Sequence, residues 1–311
     1  MIGYIIDCYG RSHELPTLLS WSVTHGLGSP CDCFEIACGF NVTMEPLIRN
    51  GYRFRAVHGG ETVFYGVVDE IEASITGEGM MLSVSGRGLA ALLLDNEADT
   101  AEFYACGIGD ILSGYVYPFG ITDVRYESLG YLYGFTSSCG ESAWAVLSRF
   151  CAFAGEVKPR FTRGGQLVIS RSDGGRVTID KSSGAYSVVR REKRYGVVSS
   201  VIVKNQVQGT RTVVNNSGFI ARGGSCRRIV NVPRYTGYNA MRYTGRYQID
   251  RSTENSSQYI VTVPTLFAAA PNDIVTVNIP ELGSPAVMRA GEVTVWADGR
   301  GCGTEITLTE R

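Results

Sequence analysis

The chain has 311 residues and a formal net charge of −1, and 44% of its residues are hydrophobic. This length suits two or three ordinary domains that bury their cores without disulfides or metal. The 38 glycines and a charged content of only 19% favour strands and tight turns over helical bundles. No apolar run reaches the ~20 residues that a membrane span requires. The first residues predict a strand rather than a signal peptide, so we expect folding in the cytoplasm.

The nine cysteines are odd in number and irregularly spaced. We therefore predict that they are reduced and mostly buried, as in a cytosolic product.

Charge is distributed unevenly. Residues 1–150 carry 7 Lys or Arg against 18 Asp or Glu, a net of −11, whereas residues 181–251 carry 14 against 2, a net of +12. Such asymmetry indicates contact with nucleic acid, a charged partner surface, or self-association of the acidic half of one copy with the basic segment of the next.

The first part of the chain is predicted to form a small antiparallel barrel. Its six segments are rich in β-branched and aromatic residues and are separated by Gly, Pro and Asn. They cover residues 2–9, 19–25, 34–40, 52–57, 63–75 and 80–86. Gly66 interrupts the fifth segment, which indicates a bulge or a barrel corner.

A mixed α+β unit is predicted next. Short helices are expected at 89–94 and 108–116, a turn at 117–120, and a longer helix at 141–154 whose apolar residues recur at 3.6-residue spacing. Ser138 and Glu141 fit a capping box, and Gly155 fits the helix end. A turn at Gly164 and Gly165 leads into a strand at 166–171.

From about residue 174 the pattern is again β. Strands are predicted at 195–204, 258–263, 273–279, 292–297 and 303–309. Residues 205–257 are polar and basic, and we interpret them as a long excursion with some local strands or with order gained on contact with a neighbour. The predicted fold is therefore mainly β with an α+β insert: two small antiparallel β-barrel (tube-like) domains, 1–88 and 173–311, flank a mixed α+β domain, 89–172.

Several segments together resemble the baseplate hub family of phage tails, the group that includes late control protein D-like proteins of contractile tails and tail-like particles. The order and spacing of these segments carry the resemblance, which spans roughly residues 60–310 and leaves 205–257 unmatched. The segments are 63–71 (VFYGVVDEI), 82–89, 92–95, 109–111, 117–121, Phe135 with 140–147 (GESAWAVL), 159–160, 164–167 and 271–277 (PNDIVTV). Asn272 stands where the family often has the glycine of a Pro-Gly-Asp turn, so the turn is expected to differ slightly.

The resemblance implies a structural protein without catalytic activity, cofactor or metal. Hub proteins of this kind form a homotrimeric ring on the tail axis, in which two similar barrels per subunit match a hexameric tube and the threefold side seats a trimeric spike. The implied partners are the chain itself, a tail tube or tube-initiator protein, the central spike, and further baseplate wedge and tape measure proteins, with no membrane in the resting particle. The implied location is the baseplate of a virion or tail-like particle assembled in the host bacterial cytoplasm.

The basic segment provides the candidate interface residues. Arginine and tyrosine are both enriched at contact hot spots, so we predict a protein interface here, while the same composition also fits single-stranded nucleic acid. The candidates are Arg190, Arg191, Arg194, Arg227, Arg228, Tyr235, Tyr238, Arg242, Tyr243 and Tyr247.

Enzymatic alternatives rest on weaker patterns. His13, His25 and His58 with Cys31, Cys33 and Cys38 could form a metal site or a Cys/His nucleophile, although Cys31 and Cys33 do not have CxxC spacing. Carboxylates at 69–72 and 95–99 could serve a cell-wall hydrolase, which needs two carboxylates across a cleft. We predict instead that these groups are structural or lie at a solvated rim, and that Trp144 lies off the core face of its helix.

Overall fold

A computed structural model describes residues 1–27, 32–77, 79–184, 187–232, 238–253, 256–279 and 286–310. The chain divides into two compact units. The first comprises Met1–Val177, Val263–Ile274 and Ala290–Glu305, and the second comprises Thr178–Thr262, Val275–Arg289 and Ile306–Arg311. Within the described ranges, no helix combines the length and the apolar character that crossing a membrane requires.

An antiparallel sheet dominates the first unit. Its strands, each followed by its bounds, are β1 (Ile2–Asp7), β2 (Ser12–Glu14), β3 (Leu18–Gly26), β4 (Cys33–Gly39), β5 (Gly51–His58), β6 (Glu61–Thr76) and β7 (Gly79–Gly88). Hydrogen bonding joins them in the order β3-β4-β7-β6-β5-β1-β2. A short 3₁₀ turn at Val42–Met44 and helix α1 (Glu45–Asn50), which the sequence did not predict, connect β4 to β5. All six predicted strands are present.

The sheet curls so that strands which are not neighbours meet inside it. Phe34 of β4 and Phe54 of β5 are separated by two intervening strands, a distance of about 14 Å in a flat sheet, yet their ring centroids lie 4.1 Å apart. Phe64 of β6 lies 5.1 Å from Phe34, and all three side chains are buried. The six strands predicted for this part of the chain thus curl around a buried aromatic core.

Gly66 does not itself lie at a bulge, one of the two roles predicted for it. The register shifts lie beside it, between Val68 and Glu70 on the β7 side and between Ala56 and Val57 on the β5 side. A Cβ atom on Gly66 would lie 2.1 Å from the carbonyl oxygen of Arg87. The glycine is therefore required by the close approach of two backbones.

The α+β part follows in the same unit. It contains α2 (Ala91–Leu94), β8 (Ala101–Cys106), α3 (Ile108–Tyr115), a 3₁₀ turn (Tyr117–Phe119), β9 (Val124–Tyr126), β10 (Leu132–Ser137), α4 (Ala143–Gly155), β11 (Arg160–Phe161) and β12 (Leu167–Ile169). β8 and β10 form an antiparallel ribbon, and β12 pairs with β11 antiparallel and with β9 parallel. The helices and the ribbon share one apolar core, which confirms a mixed α+β portion.

Helix α4 begins two residues later than predicted. Ser142 is its N-cap, and its hydroxyl accepts a hydrogen bond from Ala145 N–H at 3.2 Å. Glu141 pairs with Arg149 at 2.7 Å and also accepts a hydrogen bond from Ser138 N–H at 3.3 Å, so the predicted contact between Ser138 and Glu141 is present ahead of the helix. Trp144 is half-buried and stacks on Phe161, with ring centroids 6.2 Å apart, so it packs within this part of the molecule.

The remaining elements lie at least partly in the second unit or return from it. They are β13 (Arg176–Asp180), a 3₁₀ turn (Lys181–Ser183), β14 (Ser187–Glu192), β15 (Ser200–Asn205), β16 (Thr210–Asn215), α5 (Ser217–Ala221), β17 (Arg227–Asn231), α6 (Tyr238–Thr253), β18 (Ser257–Val263), β19 (Ile274–Asn278), β20 (Ala286–Asp298) and β21 (Gly301–Thr309). The excursion contains the local strands that the sequence analysis allowed for, together with two helices.

Two strands have neighbours other than those predicted. Residues 292–297 of β20 pair antiparallel with β3 and so extend the N-terminal sheet. β15, expected within a second barrel, pairs with β16 and β17 of the excursion. Apolar alternation specifies the faces of a strand but not its neighbours, so the sequence pattern could not distinguish these pairings.

The turn at Pro271 keeps the backbone conformation that a glycine would adopt. Asn272 has φ +77°, in the left-handed region, and its side-chain amide donates to the carbonyl oxygen of Ser172 at 2.9 Å. The carboxylate of Asp273 accepts hydrogen bonds from Gly175 N–H at 2.6 Å and Ala270 N–H at 2.7 Å. Asparagine tolerates this region better than other non-glycine residues, so the predicted departure is small.

Candidate interaction surface

The basic excursion forms a small folded body in the second unit. β15 is the central strand of a three-stranded sheet, with β16 antiparallel on one side and β17 parallel on the other. Val201 and Val203, two residues apart and therefore on one face, pack with Met241 and Ile249 of α6. This core explains how so polar a segment folds.

Helix α6 lies close against the sheet. Its buried residues Met241, Gly245 and Ile249 recur every four positions and form one stripe. A Cβ atom on Gly245 would lie 2.6 Å from Cγ2 of Val214, so only glycine permits this approach.

The opposite side of α6 brings several predicted residues together. These residues, which we call the Arg/Tyr face, are all exposed: Tyr238, Arg242, Tyr243, Arg246 and Tyr247. Residues three and four apart share a helix face, so the buried stripe of Met241, Gly245 and Ile249 occupies one side of α6 and these residues occupy the solvent-exposed side. Tyr243 is 70% exposed. Four of the ten candidates therefore form one surface.

Arg227 and Arg228 lie on opposite sides of the small sheet. Arg228 donates to Oε1 of Gln248 on α6 at 2.9 Å and so lies beside the helix. Arg227 is its neighbour on β17, and successive side chains of a strand alternate between faces. The two residues, predicted to belong to one interface, therefore lie on different faces of the sheet.

The other arginine candidates lie on or after β14. Arg190 and Arg191 pair with Tyr259 and Gln258 of β18, and Arg194 follows in the next loop. The guanidinium of Arg190 lies 5.8 Å from the Tyr259 ring and 3.2 Å from a carboxylate oxygen of Glu192. No described contact joins these arginines to the Arg/Tyr face. Tyr235 lies outside the described residues.

The Arg/Tyr face remains largely uncompensated in charge. Arg246 forms an exposed ion pair with Asp250 at 3.5 Å, and exposed ion pairs contribute little to the stability of the folded state. Arg242 has no carboxylate partner among the described residues. The surface thus offers cationic donors and exposed rings, a composition that fits both predicted partner classes, protein and single-stranded nucleic acid.

The described residues do not form the hypothetical metal site. No cluster of three or more His, Cys, Asp or Glu side chains that could hold a metal occurs in the described ranges. His25 is buried, with Nδ1 2.8 Å from Asp32 and Nε2 3.0 Å from the Val63 carbonyl oxygen. His13 contacts Asp7 at 3.1 Å. Cys31 lies outside the described residues.

The carboxylate clusters divide between two roles. Asp69 and Asp95 both receive hydrogen bonds from Arg87, at 2.7 Å each, which fastens β7 to the segment after α2. This guanidinium lowers the pKa of Asp95. Glu70 and Glu72 instead lie on the open face of the N-terminal sheet and have no hydrogen-bond or ion-pair partner among the described residues, so the 69–72 cluster is not one catalytic pair.

The prediction that the cysteines are mostly buried is wrong for the described residues. Eight are described, all of them free, and only Cys38, Cys106 and Cys151 are buried. Burial raises the pKa of Cys38 and Cys106 to about 11 and that of Cys151 to about 12. The strand context of a cysteine does not reveal which face it occupies.

Sequence reasoning also missed the face of the small sheet that lies opposite α6. Ile202 of β15 is directly opposite both Val213 and Ile229, so the three side chains form one row on that face. Val213 is 49% exposed and Ile229 is 51% exposed. The sequence did contain an indication of this face. Val201, Ile202 and Val203 of β15 are consecutive apolar residues, whereas a strand with one solvent-exposed face would alternate apolar and polar residues.

No family model matches the sequence, and no curated protein matches it significantly. Solved structures do show the same fold. The 43 kDa tail protein of prophage MuSo2 from Shewanella oneidensis has a TM-score of 0.82 at 21% identity, over 100% of this chain and 98% of that one. A tail protein from Neisseria meningitidis MC58 has a TM-score of 0.78 at 18% identity, over 99% and 96% of the two chains.

A further similar structure comes from secretion. A component of the type VI secretion system of E. coli, itself similar in structure to two bacteriophage T4 tail proteins, has a TM-score of 0.57 at 12% identity, over 94% of this chain and 73% of that one. The fold that the resemblance implied is therefore confirmed: this chain has, from end to end, the fold of phage tail proteins.

Proposed function

We propose that the chain is a structural baseplate hub protein, a homotrimeric ring on the tail axis that joins a hexameric tail tube to a trimeric spike. The observation that carries the proposal is the likeness in fold to two tail proteins, which extends over nearly the full length of both partners in each comparison. A catalytic domain added to a tail scaffold would leave part of the chain unmatched.

The proposed role is one of symmetry and shape. Three copies, each contributing two β-rich units, would present six units to the tube, and the same ring would offer threefold symmetry to the spike. The channel along the axis would continue that of the tube. The proposed partners are the chain itself, the tube or tube-initiator protein, the spike, and wedge and tape measure proteins, within a virion or tail-like particle.

The Arg/Tyr face, with Arg190, Arg191, Arg194, Arg227, Arg228 and Tyr235, supplies the proposed contact residues. Exposed tyrosine rings give large contact area at low entropic cost, and arginine pairs with carboxylates in two-pronged geometry. The acidic excess of residues 1–150 makes a partner or second copy with that charge a suitable neighbour.

The first experiment measures the mass of the purified chain by size-exclusion chromatography with light scattering. We expect three times the monomer mass. Combining Arg242→Glu with Tyr243→Ala and Tyr247→Ala should weaken the trimer or its binding to a tube or spike protein, with the melting temperature unchanged because these side chains are exposed.

The matched control is Tyr104→Ala with Tyr133→Ala, which removes an exposed tyrosine pair, 88% and 76% exposed, from the β8–β10 ribbon. A wild-type monomer at all concentrations would contradict the proposal. Peptidoglycan cleavage that is lost on replacing Glu70 or Glu72 would indicate a hydrolase instead. Salt-sensitive binding to single-stranded DNA through the Arg/Tyr face would indicate a nucleic-acid-binding protein.

A further inference from the structure

The chain carries two uncovered sheet faces of opposite charge. The basic sheet face is the side of the β16-β15-β17 sheet opposite α6. The acidic sheet face is the solvent side of the N-terminal sheet. Both are regular β surfaces with side chains at fixed positions, and both are exposed in the described part of the chain.

The basic sheet face has an apolar centre and a cationic rim. The centre is the row Val213, Ile202 and Ile229. Two residues farther along, Lys204 and Arg211 stand opposite each other, and at the other end Arg227 pairs in register with Ser200. None of the three cations has a carboxylate partner among the described residues. At strand spacings of about 4.8 Å and rises of about 3.3 Å per residue, the face measures about 10 by 13 Å between backbones.

The acidic sheet face is a concavity of about 630 Å³. One row across it runs from Trp296 through Ser22, Glu35 and Ser85 to Glu70. The next row contains Ala37, Ser83 and Glu72. The first row crosses five strands, a width of about 19 Å, so the hollow is wider than the basic sheet face.

The carboxylates in this hollow are also uncompensated. Glu35, Glu70 and Glu72 form no ion pair in the described part of the chain, and the one cation lining the hollow, Arg300, pairs with Asp298 at 3.2 Å. The residues between the glutamates are serine and alanine, whose small side chains leave this surface open, while Trp296 adds an apolar patch. Among the described residues, three unpaired carboxylates thus lie in the hollow, and three unpaired cations lie around the apolar row.

A closed ring of identical subunits needs two different, complementary surfaces on each copy, because each contact is heterologous. We infer that the acidic sheet face of one copy receives the basic sheet face of a second copy of this chain. This inference rests on the proposed ring and names the surfaces that close it. Burial of the Val213–Ile202–Ile229 row against Trp296 would stabilise the contact. The opposite charges would set the relative orientation of the two copies, and repulsion would prevent two like faces from binding each other.

The test reverses charge on one face at a time. Glu70→Lys with Glu72→Lys, and separately Lys204→Glu with Arg211→Glu, should each raise the protein concentration at half assembly by about tenfold or more, because like charges then oppose each other. The control pair Glu97→Lys with Glu102→Lys changes charge equally at exposed positions off both faces and should leave assembly unchanged.

Placing all four reversals in one chain restores opposite charges at every contact, so that chain should assemble like the wild type. Circular dichroism melts of each variant separate failed folding from failed assembly. Assembly that persists in both single-face variants would overturn the inference while leaving the proposed trimer intact. A wild type that is monomeric would instead remove the proposed function itself.

A second measurement does not depend on substitutions. Zero-length carbodiimide cross-linking of mixed isotope-labelled copies should join the Lys204 amine of one copy to Glu70 or Glu72 of another. Intermolecular cross-links of Lys204 only to carboxylates outside the hollow would overturn the inference.

Discussion

Asn272 offers a direct test of how the turn at Pro271 is held. Its backbone lies at φ +77°, where a side chain with Cβ is strained, and its amide bonds to the carbonyl oxygen of Ser172. Asparagine tolerates this conformation, whereas alanine pays about 1–2 kcal/mol to adopt it. Glycine adopts it without strain.

The magnitudes separate the two substitutions. Asn272→Ala loses a hydrogen bond of about 1 kcal/mol and adds about 1 kcal/mol of backbone strain, a loss of about 2 kcal/mol. Asn272→Gly loses the same bond but relieves strain, so we expect a loss of about 1 kcal/mol or less. At about 2–4 °C per kcal/mol, the alanine variant should melt about 4–8 °C below the wild type.

The assay is thermal unfolding followed by circular dichroism, with the three proteins measured side by side. The expected order of melting temperature is wild type and Asn272→Gly close together, with Asn272→Ala clearly below. An alanine variant that melts at or above the glycine variant would refute the assignment of left-handed strain to this residue.

Three further predictions follow from the structure. Gly86→Ala would place a Cβ atom 2.1 Å from the Val67 carbonyl oxygen and should lower the free energy of unfolding by about 3 kcal/mol or more. In the control Gly39→Ala, the new Cβ atom has no neighbour within 4 Å, so the melting temperature should change little. Equal melting temperatures for the two variants would contradict the explanation by close backbone approach. Burial opposes ionisation of Asp7, but hydrogen bonds from the backbone and side chain of Arg11, from His13 and from Tyr9 N–H lower its pKa in the folded state. A lowered folded-state pKa stabilises the protein above the unfolded value near 4, and this stabilisation is lost as the pH falls. The melting temperature of Asp7→Asn should therefore fall less than that of the wild type between pH 6 and pH 3, and parallel curves for the two proteins would contradict this prediction. Iodoacetamide should label Cys8, Cys139, Cys226 and Cys302 in the native protein but Cys38, Cys106 and Cys151 only after denaturation, as read by mass spectrometry; rapid native labelling of Cys151 would show that its thiol is accessible.

Local patterns predicted most of the elements in the first half of the chain. Alternating β-branched residues located six of the seven strands of the N-terminal sheet but not the three-residue β2, and the 3.6-residue spacing of Val146, Leu147, Phe150 and Cys151 located α4 and its buried face. The predicted ends of elements were off by a few residues. The N-cap of α4 is Ser142 rather than Ser138, because capping depends on the side-chain rotamer, which the sequence does not specify. The candidate surface was predicted in composition, since Arg and Tyr recur along residues 238–247.

Sequence alone determined that this chain is mainly β, that it contains an α+β portion, and that a basic, tyrosine-rich segment follows an acidic half, because periodicity and composition are local properties. Only the tertiary structure decided which strands pair, and so placed residues 292–297 beside β3 and split Arg227 from Arg228. Pairing depends on contacts between residues far apart in the chain, where many neighbours satisfy the same alternation. The acidic and basic sheet faces, whose charges lack ion-pair partners among the described residues, arise from that pairing, which is why no stretch of the sequence displays them.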